Sequence, residues 1–311
     1  MATPRAYSFA AILFLAAAPL LAGGNTYSYG LHVDGEIDAA KPLVVLIHGL
    51  DDDDAVWTRM TPLLQDEGFQ VACFSYPGDR PISEDAQNFG KELAALHKAS
   101  PDLQMNIVAH SMGGLVARSY IESTDYTGGI AHLIMIGTPN HGCKLAYWDL
   151  VAPITHTSKP AKKEWSWHPG TWMDHVLNDA PRDLLPSSDF LTALNARQRR
   201  EGVQYTIVAG ECTHSGQIVG RWLHGKEPEI TERCYIRSSV QCAANKMDAL
   251  SLKKLVGKGD GIVALRSTRL EGVSDMVALD ADHVALCLGN AQTQGRPAAW
   301  TIVRDRLSQH R

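Results

Sequence analysis

The stretch that decides the fold reads Gln104-Met105-Asn106-Ile107-Val108-Ala109-His110-Ser111-Met112-Gly113-Gly114. From Gln104 to Ala109 it has the apolar character of a buried strand, and it runs straight into Ser111. From Met112 to Ser123 the pattern becomes helical, with Leu115, Val116 and Tyr120 available to a core. A serine held between a strand and a helix with no linker sits on a sharp turn. Its hydroxyl is lifted off the sheet, close to the helix N-terminus. Ala109 and Gly113, two residues to either side, are small enough for strand and helix to approach closely.

The same alternation extends outward. Leu43 to Ile47 (LVVLI) is a continuous apolar run, as a strand buried on both faces requires. Trp57 to Gln65 carries a short amphipathic pattern, and Phe69 to Tyr76 reads as a strand closed by Pro77-Gly78. Ser83 is expected to cap a helix containing Phe89, Leu93 and Leu96. His132 to Ile136, Val203 to Ala209 and Asp275 to Leu279 follow as strands. Pro297 opens a closing amphipathic helix with Trp300, Ile302, Val303 and Leu307. This rhythm predicts an α/β fold: a mostly parallel central sheet with helices on both faces. Two insertions interrupt it. Residues 143–200 hold four of the seven tryptophans and are too long for an ordinary connection. Residues 211–257 hold three of the six cysteines.

Residues 1–24 read as a cleaved signal peptide. Arg5 supplies a positive start, Phe9 to Ala22 an apolar stretch too short to span a bilayer comfortably, and Ala22-Gly23-Gly24 a small-residue cleavage site. The mature chain, 25–311, is then secreted or periplasmic, with no later transmembrane segment. An uncleaved membrane anchor is the alternative. An exported chain with six cysteines permits disulfides, and a bridge among Cys212, Cys234 and Cys242 is plausible. No cysteine spacing resembles a metal site. With 45% hydrophobic and 20% charged residues the composition is that of an ordinary globular enzyme. With a net charge of -5 and no long basic run, nothing points to a nucleic-acid partner.

A serine hydroxyl is a weak nucleophile and needs a base, which in turn needs an orienting group. Asp260, flanked by glycines in Gly259-Asp260-Gly261, suits a tight loop that presents one carboxylate. His283 follows just after the last predicted strand. Asp280 and Asp282 are alternative acids, but both are too near His283 in sequence to reach the far side of its ring easily. An oxyanion hole would use the backbone amide of Met112 and one from the loop after the first long strand, here that of Leu50. Gly49 lets that loop come close to an ester.

His48-Gly49-Leu50, Trp57, Phe74-Ser75-Tyr76-Pro77-Gly78 and Ala109-His110-Ser111-Met112-Gly113-Gly114 resemble motifs of bacterial lipases and esterases of the α/β-hydrolase superfamily, the triacylglycerol lipases among them. So do Gly137-Thr138-Pro139-Asn140-His141-Gly142, Gly259-Asp260-Gly261-Ile262-Val263 and Asp282-His283-Val284. The likeness covers roughly residues 41 to 308. The elbow departs from the commoner glycine-flanked form in having Ala109. The resemblance implies a Ser111–Asp260–His283 triad, oxyanion donors at Leu50 and Met112, and no metal or organic cofactor. Its implied partner is an ester or lipid substrate, contacted by His48, Gly49, His110, Trp148 and Trp172.

The tryptophan-rich insertion is either a lid that opens at a lipid interface or a fixed cap. Asp51 to Asp54 reads as a solvated loop at the mouth of the site, since its spacing matches no calcium loop. Carboxylic ester hydrolysis is the main expectation. A thioesterase, amidase or acyltransferase would use the same triad, and a non-catalytic lipid-binding module would not need one.

Overall fold

The structure is a computed structural model and describes residues 29–33, 35–50, 52–78, 80–146, 179–212 and 257–310. Trp148, Trp172, Cys234, Cys242 and the proposed signal peptide lie outside the described residues. Seven strands make one sheet: β1 (Gly30–Val33), β2 (Leu43–Ile47), β3 (Gln70–Ser75), β4 (Met105–His110), β5 (Ile130–Ile136), β6 (Gln204–Gly210) and β7 (Met276–Leu279). Their order is β1-β3-β2-β4-β5-β6-β7. β1 is antiparallel to β3, and the other five pairings are parallel. The edge strand β1 escapes a sequence reading that starts at Lys41, because its four residues are only half-buried and carry no long apolar run.

Every residue of β2 is buried, and its side chains alternate between two cores. Leu43, Val45 and Ile47 face a cluster that holds Phe89 and Leu93 of α2 (Ile82–Ala99) and Leu115 and Val116 of α3 (Met112–Ile121). Val44 and Leu46 face Met60 and Leu64 of α1 (Met60–Asp66), together with Trp300, Val303 and Leu307 near the C-terminus. Each such side chain contributes about 1.5–3 kcal/mol on burial. That makes the two-sided apolar run the main reason this segment is a central strand. The sheet is therefore mostly parallel and covered on both faces, as expected.

Two helix starts differ from expectation. α2 begins at Ile82 rather than after Ser83, and Pro81 precedes it without a side-chain cap. Its first amide, that of Ile82, donates instead to the Asp183 carboxylate at 2.9 Å. Asp183 ends α4 (Asp179–Asp183), so this cap comes from 101 residues away. The C-terminal helix starts at Trp300, and Pro297 only opens the turn before it.

The described part of the 143–200 insertion packs on the body. Ala146, Ala180 and Leu184 join the first core, as do Leu191 and Leu194 of α5 (Asp189–Asn195). The amide of Cys143 donates to the Leu184 carbonyl at 2.8 Å, tying the start of the segment to its return. Two one-turn helices, α6 (Leu265–Thr268) and α7 (Ala285–Leu288), and α8 (Trp300–Leu307) are the remaining α-helices among the described residues.

Candidate active site

The loops at the C-terminal ends of the parallel strands carry the expected groups. Ser111 lies between β4 and α3 with φ 53° and ψ -126°. A non-glycine residue there costs about 1–3 kcal/mol, which the surrounding packing must sustain. α3 lies very close to the strands: a methyl group on Gly113 would come within 2.3 Å of the His48 carbonyl oxygen. One on Gly114 would meet the Thr138 side chain at 2.1 Å. Behind this contact, Arg118 is fully buried and donates to both oxygens of Glu122 and to Asn140 Oδ1. Asn140 in turn donates to the Thr268 carbonyl. This network holds α3 to the loop after β5, and no local pattern in the sequence announces it.

Gly49, two residues past the end of β2, lies against the serine. A methyl group there would sit 2.9 Å from Ser111 Cβ and 3.5 Å from Oγ. Leu50 follows in the same turn and packs on the first core. Met112 is the first residue of α3, where backbone amides have no partner within the helix. The loop after β2 and the start of α3 thus flank Ser111.

Asp260 and His283 are both 2% exposed. His283 Nδ1 donates to Asp260 Oδ2 at 2.6 Å. The other carboxylate oxygen accepts from the amides of Ile262 and Val263, at 2.9 and 2.7 Å. The His283 amide donates to the Asp260 carbonyl at 3.0 Å. With its proton on Nδ1, a neutral ring carries its lone pair on Nε2. Asp282 accepts from the amides of Val284 and Ala285 at the start of α7, so the structure uses it as a cap and not as the imidazole's partner.

Two observations place His283 beside the serine turn. The rings of His110 and His283 are 4.6 Å apart between centroids. A methyl group on Gly137 would lie 3.0 Å from His283 Nδ1, and the preceding residue, Ile136, accepts from the Ser111 amide at 2.8 Å.

The two neighbouring histidines do not suit the substrate contact expected of them. His48 stacks on Tyr76 with ring centroids 4.3 Å apart. Its Nδ1 donates to the Gly49 carbonyl and its Nε2 accepts from the Tyr76 amide, so both nitrogens serve the loop. His110 is completely buried, with Nε2 donating to the His283 carbonyl at 3.2 Å. Burial pushes its pKa well below the usual imidazole value, and the neighbouring His283 adds to the effect.

The aspartate run is not a uniform solvated loop. Asp53 accepts from the Ala55 amide at the head of a 3-10 turn. Asp54 accepts from the Ser75 hydroxyl. Asp52 turns inward, its side chain 3% exposed and its Oδ2 3.9 Å from His110 Nδ1. Burial, helped by the charges of Asp53 and Asp54, raises its pKa to about 7. Nothing in a run of identical residues says that Asp52 turns inward. Among the described residues, no group of three His, Cys, Asp or Glu side chains is placed to hold a metal ion.

A family model described as a domain of unknown function (DUF7379) matches residues 34–179, which include Gly49 and Ser111 but neither Asp260 nor His283. No curated protein matches the sequence significantly. Among solved structures, the mature form of Bacillus licheniformis lipase BlEst2 is similar with a TM-score of 0.57 and 19% identity, over 86% of this chain and 95% of that one. Lipase 1 from Pelosinus fermentans gives 0.51 and 15%, over 88% and 99%. The metagenomic carboxyl esterase MGS0156 gives 0.50 and 16%, over 95% and 82%. Identities this low speak to architecture alone. With the sheet order and the strand–serine–helix turn, they make the chain an α/β hydrolase in fold.

Proposed function

We propose that the protein hydrolyses carboxylic esters, with Ser111 as nucleophile, His283 as general base and Asp260 as the group that orients it. The observation that carries this reading is the backbone of Ser111. A strained serine at the head of a ten-residue helix, against a glycine loop, is costly for folding and useful for presenting a hydroxyl. The 2.6 Å bond from His283 to Asp260 supports the base assignment, because it fixes the tautomer with a basic Nε2. In the proposed reaction Nε2 takes the Ser111 proton as Oγ attacks the ester carbonyl. The imidazolium then protonates the departing alcohol, and water resolves the acyl-enzyme by the same base. The amides of Leu50 and Met112 are assigned to the oxyanion.

Lipase and esterase neighbours favour an ester over an amide or thioester at the level of fold. Export through residues 1–24 and a covering role for the aromatic part of residues 143–200 belong to the same proposal. No described helix is long and apolar enough to cross a membrane. Replacement of Ser111 by Ala should abolish turnover of p-nitrophenyl butyrate and labelling by a fluorophosphonate probe. Substantial activity in that variant would overturn the assignment.

A further inference from the structure

Beside the proposed base lies a second carboxylate that the hydrolytic scheme does not use. Asp52 comes from the loop after β2, and its Oδ1 accepts from the Asp53 amide at 3.0 Å. Its Oδ2 is buried, makes no hydrogen bond within the described residues and faces His110 Nδ1 at 3.9 Å. The opposite side of the His110 ring fixes the chemistry. Its Nε2 faces the His283 carbonyl at 3.2 Å, and a carbonyl oxygen only accepts, so Nε2 carries the hydrogen. A neutral His110 then turns a lone pair toward Asp52. An ionised Asp52 would turn lone pairs toward that lone pair between buried atoms, which is unfavourable. One proton between the two groups removes the conflict.

We propose that Asp52 is a positioning residue for His283: its protonated carboxyl donates to His110 Nδ1, which locks the tautomer whose Nε2–H holds the His283 main chain. The chain of contacts is Asp52 Oδ2, His110 ring, His283 carbonyl, and it joins the oxyanion-side loop to the base-bearing loop. In the proton-sharing state the first contact closes from 3.9 Å to hydrogen-bond distance. The groups around Asp52 agree with a neutral carboxyl. Asp53 and Asp54 on its own loop both oppose ionisation, and only His283, before α7, and the Asp53 amide favour it. Tyr76, after β3, and Cys287, in α7, are themselves held in their neutral forms by burial. His110, from β4, is kept neutral by burial and by the neighbouring His283 and His48.

The inference rests on the proposed role of His283 as base, and two measurements separate the two claims. The first is the pH profile of kcat/KM on p-nitrophenyl butyrate for wild type, Asp52→Asn and Asp52→Leu. Wild type should lose activity as pH rises through about 7, where Asp52 gives up its proton. An asparagine amide still donates to Nδ1, so Asp52→Asn should stay within about threefold of wild type at pH 6 and lose that alkaline decline. Asp52→Leu has no donor and should fall about tenfold in kcat with KM little changed. A decline retained in Asp52→Asn, or an Asn variant as impaired as the Leu variant, overturns the proposal.

The second measurement is the 15N spectrum of His110, which needs no substrate. Wild type and Asp52→Asn should give a protonated Nε2 and a hydrogen-bonded Nδ1, and Asp52→Leu should lose the Nδ1 signature. If these signals appear while wild type turns over no ester, the hydrolase reading fails and the pair stands. If ester is turned over but His110 is indifferent to Asp52, the pair fails and the hydrolase reading stands.

Discussion

The two ends of the sheet hold the same three functional groups in different orders. Beyond the C-terminal ends of the strands, the imidazole of His283 is bonded directly to the carboxylate of Asp260. Toward the N-terminal ends, a threonine hydroxyl stands between them. His132 Nε2 meets Thr206 Oγ1 at 2.8 Å, and Thr206 donates to Asp275. Asp275 is also clamped through both oxygens by Arg306. A hydroxyl that gives its proton to a carboxylate already neutralised by a guanidinium has no base to activate it. Thr206 also lies within regular strand, without the strained turn and helix N-terminus of Ser111. In the proposed reading, composition alone therefore does not make a reactive hydroxyl; the order of the bonds and the backbone beneath them do.

The strongest way to break this comparison is to delete the histidine at each end. His283→Ala should lower kcat/KM on a p-nitrophenyl ester by about 10⁴-fold while the melting temperature stays within a few degrees. His132→Ala should leave kcat/KM within about twofold and lower stability by about 1–3 kcal/mol in denaturant titrations. Comparable activity losses in two folded variants would erase the distinction between the ends.

Acid–base linkage gives the two ends opposite signs. Asp52 has its pKa raised to about 7, so its stabilising effect is complete below its unfolded value and is lost as pH climbs through the folded one. Asp52→Asn should then match wild type near pH 4 and exceed its stability at pH 8, by up to about 4 kcal/mol. Unfolding curves at the two pH values test this, and an unchanged difference between them would refute it.

At the other end, Thr206→Val removes the hydroxyl between His132 and Asp275 and should cost about 1–2 kcal/mol without touching turnover. A variant that keeps its stability would show the hydroxyl to be dispensable there. The smallest effect belongs to Asp275, whose pKa is lowered chiefly by its bonds to Arg306. Its contribution is present above its unfolded pKa and fades as pH falls through the lower folded one. The side chain is one-third exposed, so solvent screening keeps this to about 1 kcal/mol or less. Asp275→Asn should flatten the acid limb of stability between wild type and variant, and parallel limbs would argue against the linkage.

The sheet and its two cores were legible because β2 is apolar throughout and β4 is apolar apart from Asn106 and His110, a pattern that burial on both faces explains. Ser111, Asp260 and His283 each sit in a short local signature, and the structure bonds His283 to Asp260. What local reading missed was long-range. The cap of α2 comes from Asp183 and not Ser83, because a tertiary carboxylate reached the helix first. His48 and His110 were expected, from the family resemblance, to contact substrate. Their ring nitrogens turn out to bond the main chain and hold the loops. Asp52 differs from Asp53 only in the direction its backbone points it, which no composition encodes.

The hydrogen bond from Cys143 to Leu184, with Ala146 and Ala180 buried in one core, has a consequence for how such a chain can change. The described chain that flanks residues 147–178 is anchored at a single closed seam. Loop-closure entropy grows only slowly with length. Insertions, deletions or wholesale exchange of that segment therefore load the seam, not the seven strands. The molecule is in this sense a socket with a replaceable fitting. The chemistry proposed for Ser111 can stay constant while that segment changes.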